Sequence, residues 1–372
     1  MGSGCCSCAK KIGSVRHKDP GNPPDIQIIT PQDEEREKSR YWDSILKDFS
    51  YFNDPITHFS QQYPSKFKKL LISGPPNDLR WEVWKSTTSF SLTKLESFNI
   101  NPEFLQLIEK DIDRTFPFHP FFTDHSHILS LGEVLKHFVQ MNPDLGYCQG
   151  MNYLAGILLI TSNGNSLETS IMMNTFIQKL NGKGLFEPGF TKVLELSQAF
   201  SKVFKEKIPS LYNHFVNIEL DENLWLTKWF MTMFSYSFKY SVVVRLWDVI
   251  LATNLGFMVN LALAILQSLR KIMESKDLSE MLEFFGELRN FPLDVEGIIG
   301  SCTSLNSWAG GNIESFFKDT EMDDGMADSQ FRLNLDTAEG GQNSHLSVNN
   351  LAEYDGRKRS NSLIIQHSPK NN

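Results

Sequence analysis

Cysteine is scarce in this sequence and poorly spaced for disulfides. The 372 residues include 5 cysteines: Cys5, Cys6 and Cys8 crowd the beginning of the chain, whereas Cys148 and Cys302 lie far apart. This spacing excludes the disulfide framework of small secreted domains. The beginning of the chain also lacks the pattern of a cleavable signal peptide. We therefore expect the protein to work in the reducing cytoplasm.

Basic residues are outnumbered by acidic ones. Lys and Arg total 36 against 44 for Asp and Glu, which gives a formal net charge of −8 at pH 7. Domains that bind nucleic acid usually present a basic face to the phosphates. The composition therefore argues against DNA or RNA as the main partner.

Long uninterrupted apolar runs are absent. The run "YLAGILLI" at 153–160 is too short to cross a bilayer, and the longer apolar stretch at 242–266 contains Arg245 and Asp248. A membrane-spanning helix needs about 20 predominantly apolar residues. The sequence therefore predicts no transmembrane helix.

The signatures of several enzyme classes are also absent. The chain has no G-x-x-x-x-G-K-[ST] for a P-loop, no H-E-x-x-H or paired C-x-x-C for zinc, and no G-x-S-x-G for a hydrolase. The Gly-rich stretch "GKGLFEPG" follows no predicted strand, so it indicates no dinucleotide site. We expect the chain to hold no metal and no cofactor of its own.

Helical periodicity dominates what is present. Residues 41–300 are predicted to form a single large multi-helical, all-α domain, with its core motifs from about residue 70. Residues 1–40 and 301–372 are polar and are predicted to be a flexible arm and a disordered tail. Two densely apolar segments, 222–238 and 241–251, are predicted as buried helices. One face of a further helix carries Leu131, Val134, Leu135, Phe138 and Val139.

The stretch "KDIDRTFP" at 110–117 raises a chemical question. It ends a predicted helix over 101–116, with Asn101 as its cap and Pro102 at its first position. Asp111 falls within the apolar stripe of that helix, and a buried carboxylate needs a partner. Arg114, three residues on, is within reach. The predicted apolar stripe consists of Phe104, Leu107, Ile108 and Ile112.

A second unusual stretch is "GYCQGMNYLAGILL" at 146–159. Gly146 and Gly150 bracket Gln149 and permit a tight turn before an apolar helix that starts near Tyr153. Such a turn fixes the backbone and leaves the amide of Gln149 free to project. The alternative is that Gln149 only caps backbone groups and Arg114 only neutralises the aspartate three residues before it.

Taken together, these stretches resemble a known family. The pattern I-x-x-D-x-x-R at 108–114, followed by Y-x-Q-G at 147–150, resembles the two finger motifs of TBC-domain Rab GTPase-activating proteins. Three further segments resemble family motifs in the same order: "SGPPNDLRWEVW" at 73–84, "KGLFEPGF" at 183–190 and "WFMTMFSYSFKYSVVVRLWDVIL" at 229–251. The resemblance covers most of the predicted helical domain.

The resemblance implies a role in trans. A GTPase-activating protein of this family binds a Rab GTPase in its GTP form and acts on the GTP and Mg²⁺ that the GTPase holds. Carried onto this chain, Arg114 would stabilise charge on the transferred phosphoryl group, and Gln149 would replace the water-positioning glutamine of the GTPase. The chain would then regulate membrane traffic as an enzyme activator and would not itself be an enzyme.

Four neighbouring residues are implied as supports. Asp111 would orient the catalytic arginine, and Tyr147, Gly150 and Asn152 would hold the glutamine turn. Tyr147 and Asn152 could equally be core structure. The remaining motif residues are interpreted as scaffold, with an ion pair expected between Arg245 and Asp248. These scaffold residues are Arg80, Trp84, Trp229, Arg245, Trp247 and Asp248.

The N-terminal stretch "MGSGCCSCAKK" suggests a separate function. Gly2 is a candidate for N-myristoylation, although Cys6 stands where the usual pattern has Ser or Thr. Cys5, Cys6 and Cys8 are candidates for S-palmitoylation, and two acyl chains together give stable anchoring. We expect a protein that is peripheral on a membrane through this lipidated N-terminus. The alternatives are a thiolate metal cluster and an unmodified arm.

Two other functions remain open from the sequence. One is a catalytically silent TBC scaffold that binds a small GTPase or another partner at a membrane, but such a protein would be expected to lack one of the two finger residues. The other is a lipid- or metal-binding adaptor with a purely structural helical domain. That reading leaves the ordered set of motifs unexplained.

Overall fold

The computed structural model describes residues 31–92 and 99–304 of the chain. Within these ranges the regular structure is helical and contains no strand, which confirms the all-α prediction. The fifteen α-helices described are α1 Pro31–Asp48, α2 Pro55–Gln62, α3 Pro64–Ser73, α4 Arg80–Thr87, α5 Pro102–Ile112, α6 His125–Met141, α7 Met151–Thr161, α8 Ser166–Lys179, α9 Thr191–Lys207, α10 Pro209–Asn217, α11 Asn223–Met231, α12 Tyr240–Ala252, α13 Phe257–Met273, α14 Leu278–Glu287 and α15 Val295–Ser304. Short 3₁₀ helices are Pro120–Thr123, Lys183–Leu185 and Leu288–Asn290.

The ends of the helical region differ from the boundaries expected from composition. Helix α1 begins at Pro31, so the expected boundary at residue 40 lies inside this helix. Helix α15 continues to Ser304, past the expected boundary at residue 300. Residues 1–30 and 305–372 lie outside the described residues, and the arm and the tail there stay predictions.

One continuous core joins the helices. Helix α6 packs against α5, α7 and α8, and α12 contacts α3, α4 and α15. The core runs from Trp42 in α1 to Cys302 in α15. The face predicted for α6 is buried in full: Leu131, Val134, Leu135, Phe138 and Val139. Apolar residues at helical spacing along one side of α6 produce this contact with three neighbouring helices.

Helix α5 begins as predicted. The side chain of Asn101 accepts a hydrogen bond from the N–H of Glu103 at 3.0 Å, and Pro102 occupies the first turn. The buried stripe is narrower than predicted, because Leu107 is 38% exposed. Ile108 and Asp111 are the buried residues of this helix.

Helix α5 ends earlier than predicted, at Ile112 instead of Phe116. The Thr115 hydroxyl donates to the carbonyl of Asp111 at 2.6 Å and takes up one of the last helical acceptors. Phe116 then has a φ of 47°, in the left-handed region. Because Pro117 follows, the residue before it is disfavoured in the helix. Arg114 therefore lies in a turn just beyond the helix.

The segment 222–238 is also less helical than predicted. Helix α11 ends at Met231, and the chain leaves it through Met233 and Phe234, with φ values of 46° and 70°. Left-handed backbone costs about 1–2 kcal/mol per non-glycine residue. Burial of the Phe234 ring and a hydrogen bond from Trp247 Nε1 to the Met233 carbonyl at 2.9 Å offset that cost. The density of apolar residues predicted the burial of this segment correctly, and its helicity correctly only as far as Met231.

Candidate functional site

The turn after α5 presents an arginine. The Arg114 side chain is 35% exposed, and its Nη2 lies 2.6 Å from Oδ1 of Asp111. The carboxylate itself is almost sealed from water, since Asp111 is only 4% exposed. The sequence predicted this pair. It holds one edge of the guanidinium while part of the side chain faces solvent.

The second carboxylate oxygen of Asp111 is held by a tyrosine. The Tyr147 hydroxyl donates to Oδ2 at 2.6 Å. Burial, together with the nearby carboxylate of Asp111, raises the pKa of Tyr147 well above its usual range. The phenol therefore stays neutral and keeps donating at physiological pH. Both oxygens of the carboxylate are thus fixed, and they fix the direction of Arg114.

A buried asparagine joins the two turns of the site. These are the arginine turn, which contains Arg114, and the glutamine turn, which contains Gln149. Asn152 is fully buried, and its Nδ2 donates to Thr115 Oγ1 at 2.8 Å. Its Oδ1 accepts the N–H of Gly150 at 3.0 Å and lies 3.4 Å from the Tyr147 hydroxyl oxygen. Sequence reasoning named Asn152 but missed Thr115. The signal for Thr115 was its place between the arginine and the proline turn.

Gln149 lies in the turn that precedes α7 and is partly exposed. The two glycines around it have positive φ values, 64° at Gly146 and 110° at Gly150. A Cβ at Gly146 would lie 2.2 Å from the ring of Phe104, so any other residue here would also have to displace that ring. Between them, burial raises the pKa of the Cys148 thiol to about 12, so it stays protonated. Helix α7 starts at Met151, close to the predicted start near Tyr153.

The ring of Phe116 packs between the arginine turn and α7. It packs edge-on against Tyr153 with a centroid distance of 5.4 Å. A Cβ added at Gly156 would lie 2.8 Å from a ring carbon of Phe116. Glycine at this point of α7 therefore lets the turn approach the helix. Sequence reasoning missed Gly156, because glycine inside an apolar helix gives no sign of what packs on it.

A cleft of about 630 Å³ opens beside Arg114. The Arg289 guanidinium on its wall lies 5.2 Å from the centre of the Phe116 ring and donates to the Tyr236 carbonyl. The cleft lining includes three cationic residues, Arg114, Lys239 and Arg289, against one acidic residue, Glu287. Aromatic rings complete much of the lining: Phe116, Phe118, Tyr153, Tyr236, Phe238 and Tyr240. The site is a cationic cleft with apolar walls.

A second charged cluster lies outside the cleft lining. Asp248 is fully buried and accepts hydrogen bonds from Trp84 Nε1 at 2.7 Å and from Arg245 Nη1 at 2.9 Å. Arg80 Nε lies 3.3 Å from both of its oxygens. Burial raises the pKa of Asp248, and the two guanidinium groups act in the opposite direction. The predicted pair of Arg245 and Asp248 is confirmed, and Arg80 and Trp84 join it.

Three further predictions concern acylation, metal binding and membrane-spanning helices. Gly2, Cys5, Cys6 and Cys8 lie outside the described residues, so their acylation stays a prediction. In residues 31–92 and 99–304, no three His, Cys, Asp or Glu side chains come together as metal ligands would. Over the same ranges, none of the helices has the length and apolar character that crossing a bilayer requires.

Comparison with known proteins identifies the domain. Residues 77–273 match the model of the Rab-GTPase-TBC domain family. The chain is 25% identical over 254 residues to Rab GTPase-activating protein eat-17 of Caenorhabditis elegans, covering 66% of this chain and 28% of that protein. It is 30% identical over 203 residues to human TBC1 domain family member 14, covering 54% of this chain and 29% of that protein. The chain thus spans about a third or less of the length of these relatives.

Solved structures agree on the fold. The crystal structure of the Ypt/Rab-GAP domain of Gyp1p superposes with a TM-score of 0.61 at 20% identity, covering 74% of this chain and 98% of that one. The Chlamydomonas flagellar RabGAP TBC domain gives 0.59 at 20% identity, covering 76% and 97%. The family match extends over more than half of the chain and includes both turns of the site. The chain therefore belongs to the Rab-GTPase-TBC domain family.

Proposed function

We propose that this chain activates GTP hydrolysis by a Rab-family GTPase and thereby regulates membrane traffic. The observation that carries the proposal is the partly exposed Arg114, held by the buried Asp111 on the wall of a cationic cleft. Membership of the Rab-GTPase-TBC family supports the choice of partner. Rab GTPase-activating protein eat-17, one of the relatives, has the same activity in its name.

Arg114 acts in trans in this proposal. Hydrolysis of GTP builds charge on the oxygens of the transferred phosphoryl group, and an arginine finger that meets this charge is worth about 10³–10⁵ in rate. A guanidinium stays charged at all relevant pH values and binds phosphate oxygens with two parallel N–H groups. Asp111 and Tyr147 hold it in advance, so that little reorganisation accompanies the reaction. The GTP and its Mg²⁺ belong to the GTPase, which makes this chain an activator and not an enzyme.

Gln149 is the second finger in this proposal. Its amide can accept a hydrogen bond from the attacking water and donate one to a neighbouring oxygen. The turn between two positive-φ glycines supports this role, because it fixes the backbone of a residue that is itself partly exposed. The hydrogen bond from Gly150 to Asn152 links this turn to the arginine turn.

The test is single-turnover GTP hydrolysis across a panel of GTP-loaded Rab proteins with the full chain. Acceleration of one or a few Rabs, lost in both Arg114→Ala and Gln149→Ala, supports the dual-finger mechanism. Arg270→Ala is a matched control, because the Arg270 side chain is 38% exposed and also pairs with a carboxylate, that of Glu274. Rab binding without acceleration by the wild type would favour the alternative, a catalytically silent scaffold.

We also propose that the N-terminus anchors the chain to a membrane. Gly2 is the acceptor for myristoylation, and Cys5, Cys6 and Cys8 carry palmitate. One acyl chain binds a bilayer only marginally, and two make the anchoring stable. Metabolic labelling with tagged myristate and palmitate tests this. Gly2→Ala is expected to abolish myristate incorporation and release the chain from membranes, and incorporation of neither label into the wild type would contradict the proposal.

A further inference from the structure

The loop that follows Arg114 exposes an aromatic ring. Phe118 is 92% exposed, more than any other large apolar side chain of the described residues. Phenylalanine is among the residues most often buried, and exposed aromatic side chains are enriched where proteins bind partners. A ring held in solvent beside a functional arginine therefore calls for an explanation.

The backbone around Phe118 is firmly held. The N–H of His119 donates to the carbonyl of Phe116 at 2.9 Å and closes a turn with Phe118 inside it. Pro117 and Pro120 fix φ on both sides of the pair 118–119. Burial, assisted by the charge of Arg289, lowers the pKa of His119, and its neutral ring accepts the N–H of Phe121 at 3.2 Å. The backbone segment that carries the exposed ring is therefore rigid.

The same backbone segment also supports Arg114. Phe116 starts the turn of Phe118 and also wedges the Arg114 turn against Gly156. Arg114 and Phe118 line the same cleft, together with the cations Lys239 and Arg289. A partner that brings a negatively charged group to Arg114 therefore meets the ring of Phe118 in the same encounter.

We propose that Phe118 is a docking anchor for the GTPase. Its ring enters an apolar pocket on the surface of the GTPase next to the bound nucleotide, while Arg114 reaches the phosphates. This inference rests on the proposed function and adds the residue that sets affinity. A rigid aromatic anchor loses little conformational entropy on binding, and such residues dominate the energetics of many interfaces. The cationic cleft around it favours an acidic rim on the pocket.

The experiment separates affinity from chemistry. Single-turnover hydrolysis by a GTP-loaded Rab that the wild type accelerates is measured against increasing concentrations of the full chain. This yields a half-saturating concentration and a maximal rate. Phe118→Ala is expected to raise the half-saturating concentration by about tenfold or more and to leave the maximal rate within about twofold. Phe118→Leu, which keeps much of the apolar area, is expected to fall between wild type and Phe118→Ala.

The control is Tyr51→Ala, another aromatic side chain, 75% exposed and outside the cleft lining. Thermal unfolding of each variant should match the wild type, because neither ring is buried. If Phe118→Ala behaves like Tyr51→Ala, or lowers only the maximal rate, Phe118 is not a docking anchor. The proposed function is unaffected by that result. If the wild type accelerates no Rab, the proposed function fails and the anchor fails with it.

Discussion

Two ion pairs in this protein have the same composition and the same spacing, and yet they differ in accessibility. Asp111 and Arg114 are three residues apart with a 2.6 Å contact, and Arg245 and Asp248 are three apart with a 2.9 Å contact. In both pairs the aspartate is buried. The arginines differ: the Arg114 side chain is 35% exposed, and that of Arg245 is 9% exposed.

The difference comes from the position of the arginine relative to its helix. Arg245 lies inside α12, where Gly74 packs so closely on its guanidinium that a Cβ there would lie 2.6 Å from Cζ. Arg114 lies beyond the end of α5, where the turn leaves one side of it open. A buried carboxylate thus pairs with a buried arginine in one case and with a partly exposed arginine in the other. Three-residue spacing predicts each pair, and the end of the helix decides whether the arginine faces solvent.

The sharpest test of this contrast replaces each arginine by lysine. Arg114→Lys keeps a cation beside Asp111 and removes the planar fork, so we expect the maximal rate of activated GTP hydrolysis to fall by about a thousandfold or more. Stability should change by less than about 1 kcal/mol, because the side chain is partly solvated. Single-turnover kinetics and denaturant unfolding measure the two effects.

Arg245→Lys is the matched substitution in the other pair. It should leave the maximal rate unchanged and lower the free energy of unfolding by about 1–3 kcal/mol, because buried charge-assisted hydrogen bonds are lost. Equal loss of rate in both variants would contradict a catalytic role that is specific to Arg114.

The next effect is expected at Asp248, the carboxylate of the second charged cluster. Asp248→Asn removes the charge that two buried guanidinium groups share, and removal of one partner from a buried ion pair costs about 3–5 kcal/mol. Urea unfolding gives the value. Asp111→Asn is the matched change, and it should cost less because Arg114 can turn toward water. A greater loss for Asp111→Asn would contradict the distinction between the two sites.

A smaller effect is expected where the arginine turn meets α7. Gly156→Ala places a methyl group 2.8 Å from the Phe116 ring, and overpacking of this kind costs about 1–3 kcal/mol. The displaced turn should also lower the maximal rate by about tenfold, because the guanidinium is shifted from its working position. Gly132→Ala in α6 is the control, since its nearest side-chain atom is 3.7 Å away. Full activity of Gly156→Ala would show that the packing of Phe116 on Gly156 does not position Arg114.

The smallest effect is expected at Glu296, at the edge of the second charged cluster. Its carboxylate accepts hydrogen bonds from Arg245 Nε at 2.7 Å and Nη2 at 2.9 Å. Burial acts to raise the pKa of Glu296, but the hydrogen bond and charge of Arg245 outweigh it and lower that pKa below its usual value. The folded state therefore binds the proton less tightly than the unfolded state. The stabilisation is present above the unfolded pKa and is lost as pH falls through the folded value.

Because the Glu296 side chain is 54% exposed, Glu296→Gln should cost less than about 1 kcal/mol at neutral pH. Unfolding measured from pH 7 to pH 3 should show the difference between wild type and variant shrinking with acidity. A difference that grows with acidity would reverse the assignment.

The fold class was predictable because apolar residues at helical spacing leave little room for another interpretation. The face of α6 and the cap of α5 followed from local patterns and were both correct. The early end of α5 has local causes, namely Thr115 and Pro117. The end of α11 did not follow from its own sequence, because it depends on a distant group. Trp247 holds the left-handed Met233 from a helix that comes later in the chain.

The ion pair of the site was predictable from the sequence, but most of the residues that pack around it were not. The pair of Asp111 and Arg114 is local, so spacing sufficed to predict it. Gly156 and Arg289 act through contacts across the fold, and these contacts are visible only after α7 and the 3₁₀ helix Leu288–Asn290 are brought to the turn. The catalytic roles of Arg114 and Gln149 stay predictions that the kinetic experiments test.

The hydrogen bonds among Asp111, Tyr147, Asn152 and Thr115 have a consequence for how the two turns move. Residues 36 positions apart in the chain share this buried network, so neither turn can loosen without exposing polar groups of the other. The two turns should therefore open to solvent together, in one cooperative step, and amide hydrogen exchange would report it. The Gly150 N–H, bonded to Asn152, and the Thr115 N–H, bonded to Ile112, should exchange at the same slow rate.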